Sequence, residues 1–139
     1  MKGKISWIEG GRFLAESGTG HALPMHAKVM GDDVSVAPSP MEYVLLGTGG
    51  CSCVDVVHIL GKGRHDVRGC VVEMDAERAA EDPKVFLRIH MHFVVTGRDL
   101  KRETVARAVE LSAEKYCSAS IMLAKTAKIT HDFEIKEAE

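Results

Sequence analysis

The 139-residue sequence has no block of basic residues, and its formal net charge is only -2. Nucleic acid and anionic membrane surfaces select dense positive charge, so both are poor candidates as partners. There is no internal repeat, linker or low-complexity tract, and one domain spanning residues 1–139 is expected, long enough to bury a real core. No serine-nucleophile elbow, acidic dyad or glycine-rich phosphate loop is present. Gly47 to Gly50 lies inside a helical pattern and follows no strand, which reads as close helix–helix packing. The first residues lack the apolar core and cleavage site of a signal peptide, and a cytoplasmic location is expected. Cysteine is scarce, with four in all. In an unsecreted chain these read as thiols, metal ligands or redox catalysts rather than a disulfide framework.

What is present is ordinary in bulk, 45% apolar and 27% charged, and unusual in one stretch, Ser39 to Leu60. Ser39 at the N-cap, Pro40 at the first helical position and Glu42 three residues after the cap make a capping box. From Met41 to Leu60 nearly every residue is apolar or tiny, with Gly61 and Gly63 as the stop. The stretch is too short and too glycine-rich for a good membrane span. It reads as a helix buried on every side.

Around it, Lys2 to Ile8, Arg12 to Ser17 and His21 to Ala27 read as strands, with glycine turns at 10–11 and 18–20. Gly31-Asp32-Asp33 and Ala37-Pro38-Ser39-Pro40 make the loop into the helix. Val67 to Arg78 and Val85 to Gly97 are further strands. In the second, Val85, Leu87, Ile89, Met91, Phe93 and Val95 share a face. Asp99 is placed to cap a helix in which Val105, Val109, Ser112 and Tyr116 recur. Ser118 is placed to cap a short helix, Ala119 to Lys125, before a last strand, Ile129 to Lys136. The order predicts an α+β domain with an antiparallel sheet. A sheet covers one side of a helix, so a second copy of the chain is expected over the rest, as an obligate homodimer.

On the central helix Thr48, Cys51, Asp55 and His58 fall at spacings of three, four and three, and so share one stripe. A polar stripe on a buried helix needs hydrogen-bond partners or a function. Two readings of Cys51 stand open: a small core residue, or the centre of the chemistry. Asp55 and His58 could pair with each other. Cys53 is about 200° around the helix from Cys51 and reads as core. Cys117 precedes a short helix whose amide end favours a thiolate, and it stands as either a buried junction residue or a redox thiol. Cys70, within a strand, receives no role. His90 and His92 point the same way from a strand and offer a weak metal site.

With these residues in view the chain resembles the OsmC/Ohr family of peroxide-reducing proteins, within it the YhfA-like branch. The resemblance spans nearly the whole length. It rests on Ser39-Pro-Met-Glu-Tyr-Val-Leu-Leu, on Gly49-Gly50-Cys51, on Val94-Val-Thr-Gly-Arg-Asp-Leu100 and on Glu114-Lys-Tyr-Cys-Ser118. It implies an OsmC-like fold: an antiparallel sheet on a long central helix, in an intertwined homodimer with redox sites at the subunit interface. It also implies a peroxidatic cysteine at Cys51 and a resolving cysteine at Cys117. Organic hydroperoxides or hydrogen peroxide would be reduced to alcohol and water through a Cys51 sulfenic acid and a Cys51–Cys117 disulfide. An external dithiol, in some members a lipoylated protein, would restore the thiols, with no metal or organic cofactor. Arg12 matches by position an arginine that readies the thiolate, and reads otherwise as a surface arginine of a hairpin turn. The family's glutamate directly follows the proline, whereas here Met41 stands there and Glu42 is one further. Glu42 reads first as a capping residue and second as a group presented across a dimer. The alternative from another class is a non-catalytic binder of a small lipophilic molecule, with cysteines that are structural or sense oxidation.

Overall fold

The computed structural model describes residues 1–29, 31 and 34–139. Of the loop expected at Gly31-Asp32-Asp33, Asp32 and Asp33 lie outside the described residues. The chain divides into two compact units, Met1–Val44 and Leu45–Glu139.

In the first unit β1 (Gly3–Glu9), β2 (Arg12–Ser17) and β3 (Ala22–His26) pair in that order as an antiparallel meander. Its first turn requires glycine: Gly10 has φ +49°, where a Cβ is disfavoured. The Trp7 indole N–H donates to Gly10 O at 2.9 Å across the same turn. The entry to α1 (Pro40–Lys62) is held by the expected capping box. Ser39 N–H donates to Glu42 Oε2 at 2.7 Å, and Glu42 N–H donates to Ser39 Oγ at 3.2 Å. The Tyr43 hydroxyl donates to Pro24 O at 2.6 Å, tying this turn to β3.

The second unit holds the remainder of α1, then β4 (Asp66–Arg78), β5 (Phe86–Arg98) and α2 (Arg102–Leu111). A π-helical turn (Ser112–Tyr116), α3 (Ser118–Leu123) and β6 (Lys128–Glu137) complete it. The sheet runs β4-β5-β6, and it is mixed where an all-antiparallel sheet was expected. β4 and β5 form an antiparallel hairpin, but β6 lies parallel to β5 from Arg88↔Lys128 to Gly97↔Glu137. The helical crossover between them carries the chain back to the end where β5 began, which is the connection a parallel pair requires.

Ile89, Met91, Phe93 and Val95 of β5 are buried as the alternation predicts, but Val85 and Leu87 are exposed and Phe86 is buried in their place. The pairing steps from Glu77↔Arg88 to Arg78↔Phe86. That bulge puts one extra residue on β5 and reverses the face of everything before it. On α1 the buried residues are Thr48, Gly49, Ser52, Val56 and Leu60, a single stripe rather than the whole circumference. By length and composition α1 could cross a membrane. Gly49 fits against Met74 of β4, where a Cβ would collide, so that glycine serves helix–sheet contact and not the helix–helix packing expected. α2 buries Val105, Ala108 and Val109. The helical spacing continues to Ser112 and then fails, because the π-helical turn rotates Tyr116 outward to about half exposure. Asp99 does not cap α2; it has φ +52° in the preceding turn, and Lys101 holds the cap position.

Candidate functional site

Three elements of the second unit meet at one point. α1 brings Cys51, Ser52 and Asp55, the π-helical turn brings Ser112, and the junction into α3 brings Cys117 and Ser120. The Cys51 Sγ, the Cys117 Sγ and a carboxylate oxygen of Asp55 all lie within 4.8 Å of one another. Two cysteines 66 positions apart in sequence are thus neighbours.

Cys117 is 0% exposed and takes the cap position of α3 that Ser118 was expected to hold. Its sulfur receives three hydrogen bonds: from Ser120 Oγ at 3.0 Å, from Ser52 Oγ at 3.1 Å and from Ser120 N–H at 3.3 Å. Burial is the largest influence on this thiol and pushes it up. The donors from Ser120 and Ser52, together with the Cys51 thiol, outweigh it and hold Cys117 below the ordinary value of 9.0.

Cys51 is half-buried, and here the balance falls the other way. Burial again pushes it up, and the Ala119 amide opposes this with one hydrogen bond. The Cys117 sulfur and the Asp55 charge add to the upward push, so Cys51 stays above its ordinary value. The resemblance implied a readied Cys51 thiolate, which needs a depressed thiol and a cation such as Arg12 or His58 close by. Within this unit the anion-favouring environment belongs instead to Cys117. Successive amides of α3, those of Ala119 and Ser120, address the two sulfurs in turn.

Asp55 accepts from Ser112 Oγ at 3.2 Å and does not pair with His58, which is exposed. A cavity of about 340 Å³ opens on this side, lined by Asp55, His58, Ile59, Lys62, Leu111 and Tyr116. Sequence reasoning missed Ser52 and Ser120. Ser52 was visible only as a polar residue on an apolar helix, and Ser120 only as the third residue after Cys117, the spacing of a cap to its donor.

The other sequence candidates lie elsewhere. Arg12 and Glu42 belong to the first unit. Arg12 Nη1 pairs with Glu9 Oε1 at 3.1 Å in an exposed turn, and Glu42 serves the capping box, which holds its carboxyl below the usual range. His90 and His92 converge on one carboxylate: His90 Nε2 lies 3.2 Å and His92 Nδ1 2.6 Å from Asp132 Oδ1. Cys53 Sγ donates to Cys70 O at 3.5 Å. Burial first, and then Cys53, pushes Cys70 up to about 12.

A family model described as OsmC-like protein matches residues 31–132. The chain is 52% identical to protein YhfA of Escherichia coli strain K12 over 138 residues, covering 99% of this chain and 100% of that protein. Among solved structures it is similar to a hypothetical protein from Aquifex aeolicus VF5, at 28% identity and TM-score 0.85, with 99% and 97% of the two chains covered. It is also similar to the organic hydroperoxide resistance protein OhrB of Bacillus subtilis, at 16% identity and TM-score 0.63, with 96% and 98% covered; at that identity the likeness is one of fold.

Proposed function

The chain belongs to the OsmC-like protein family, and on that premise we propose that it is a thiol peroxidase reducing organic hydroperoxides, or hydrogen peroxide, through Cys51 and Cys117. The observation that carries this is the approach of the two sulfurs to within 4.8 Å, with Cys117 held among three donors. Cys51 is the sulfur with access to solvent, so it meets the peroxide.

The difference between the two thiols sets the order of events. Cys117, the better-stabilised anion, takes the proton of Cys51 as the Cys51 sulfur attacks the peroxide oxygen. The O–O bond breaks, Cys51 becomes a sulfenic acid, and the leaving alkoxide takes the proton back from Cys117 as alcohol. The Cys117 thiolate then attacks the Cys51 sulfur and expels hydroxide, which becomes water. The disulfide requires the sulfurs to close from within 4.8 Å to about 2.05 Å, a matter of side-chain rotation. An external dithiol restores both thiols by exchange, and a reducing compartment, the cytoplasm, keeps them free.

The functional unit is a homodimer. α1 leaves Leu46, Val54 and Val57 exposed at 51%, 69% and 41%, and Gly47, Gly50 and Gly61 open on the same helix. An apolar helical face of this kind is suited to close packing against its own copy.

The test is one equivalent of an organic hydroperoxide added to reduced protein, followed by disulfide mapping. A Cys51–Cys117 link is expected, with stoichiometric alcohol. Native mass spectrometry that finds a retained lipid-like ligand, with both thiols unreactive to peroxide, would replace the peroxidase by a binder.

A further inference from the structure

The cluster has a second chemistry that does not depend on peroxide. Two thiol sulfurs and a carboxylate oxygen within 4.8 Å of one another are the ligand set of a soft or borderline divalent cation. An ion seated about 2.3 Å from each sulfur and about 2.1 Å from the oxygen would separate these atoms by roughly 3.5–4 Å. The side chains therefore need to close by only about 1 Å, within the reach of rotamer adjustment.

Three further features suit the cluster to an ion. The Cys117 sulfur is oriented by Ser52 and by both polar groups of Ser120, and such outer donors fix a thiolate ligand in direction and charge. The Ala119 amide does the same for Cys51. Among the described residues no cation pairs with Asp55, whose one hydrogen bond comes from Ser112 Oγ at 3.2 Å. The cavity beside Asp55 gives its carboxylate access to solvent and small ions.

We propose that the reduced chain binds one divalent cation of zinc type through Cys51 Sγ, Cys117 Sγ and an Asp55 carboxylate oxygen. The ion and the peroxide compete for the same two sulfurs, so metal loading caps the pair and disulfide formation expels the metal. The His90–His92–Asp132 cluster has no part in this, since one carboxylate oxygen already holds both rings.

The probe is cobalt(II), titrated without oxygen into the reduced full-length protein and then displaced by zinc(II), which binds such sites more tightly. One equivalent is expected, with near-ultraviolet absorption of the strength of two cobalt–thiolate bonds. The absorption is absent in peroxide- or diamide-oxidised protein, which keeps the wild-type sequence and so controls for misfolding. Cys51→Ser should halve the band, and Asp55→Asn should weaken binding at least about tenfold, the size of effect that loss of even an outer partner produces. Bound zinc should slow the reaction of the thiols with a neutral disulfide reagent. Cobalt that binds without a thiolate band, or binds equally to Cys51→Ser or to the oxidised protein, would overturn the proposal. A protein that fails to consume peroxide yet shows the two-thiolate band leaves the metal site standing.

Discussion

α1 carries two cysteines two positions apart, and their surroundings could hardly differ more. Cys51 faces Cys117, whose sulfur collects two hydroxyls and an amide. Cys53 faces Cys70, where its own thiol gives a hydrogen bond to a carbonyl and burial drives Cys70 up to about 12. Cys117 has these donors besides one distant acceptor, Thr48 O at 3.9 Å, whereas the Cys53–Cys70 pair is supplied with an acceptor inside a strand. Proximity of sulfurs does not make a redox site; donors that favour the anion do.

The largest effect is expected from removing the nucleophile. Cys51→Ser should lower peroxide consumption by about a hundredfold or more, while Cys53→Ser should stay within about twofold, both read by coupled hydroperoxide assay. Equal losses would erase the distinction between the pairs.

Next in size is the fate of the intermediate. Cys117→Ser, which loses the group that takes the Cys51 proton, should still react once with peroxide, more slowly, and leave a Cys51 sulfenic acid that a dimedone-type reagent traps, whereas Cys70→Ser should form the disulfide as the parent does. Mass spectrometry distinguishes these products.

The donors come third. Ser52→Ala and Ser120→Ala each remove a hydrogen bond to the Cys117 sulfur. Each should raise the first thiolate step, followed by absorbance near 240 nm, by about one pH unit. The donors hold Cys117 below its ordinary value in the parent; the Cys70 step near 12 should not move. In stability the two thiols act oppositely. The lowered Cys117 value contributes above the unfolded thiol range and is lost as pH falls. The raised Cys70 value contributes below about 9 and is lost as pH climbs toward about 12.

The smallest effect is reserved for the cluster that carries charge without reactive sulfur. Asp132 raises His92 above its ordinary 6.5, and His92 lowers Asp132 below its ordinary 3.8. Their joint contribution is present between those limits. It fades as pH rises through the His92 value and as pH falls through that of Asp132. The pair is exposed and screened, so His92→Asn should lower Tm slightly at pH 5 and not at pH 9, by calorimetry.

Much of the fold was readable because it follows from local rules. The capping box at Ser39 and Glu42, the glycine turn at Gly10 and the alternation through Ile89, Met91, Phe93 and Val95 each depend on neighbours a few positions away. The larger failures involve distant partners, and the smaller ones, the caps taken by Lys101 and Cys117 and the turn before Cys117, local backbone that residue type does not announce. The bulge that turns Phe86 inward depends on where β4 pairs, and the parallel direction of β6 depends on the length and path of the crossover. The rotation of Tyr116 depends on a π-helical turn that no periodicity announces. In the site, Cys51 and Cys117 stood out by residue type and by resemblance, but Ser52 and Ser120 did not, since serine in a helix carries no mark of what it donates to.

Sequence alone determined which sulfurs exist, where α1 starts and that α1 carries a polar stripe, because these are properties of residue type and short spacing. Only tertiary structure decided which sulfur has the anion-favouring surroundings. That depends on hydroxyls and amides from separate elements arriving within about 3 Å of Cys117, close enough to offset its burial.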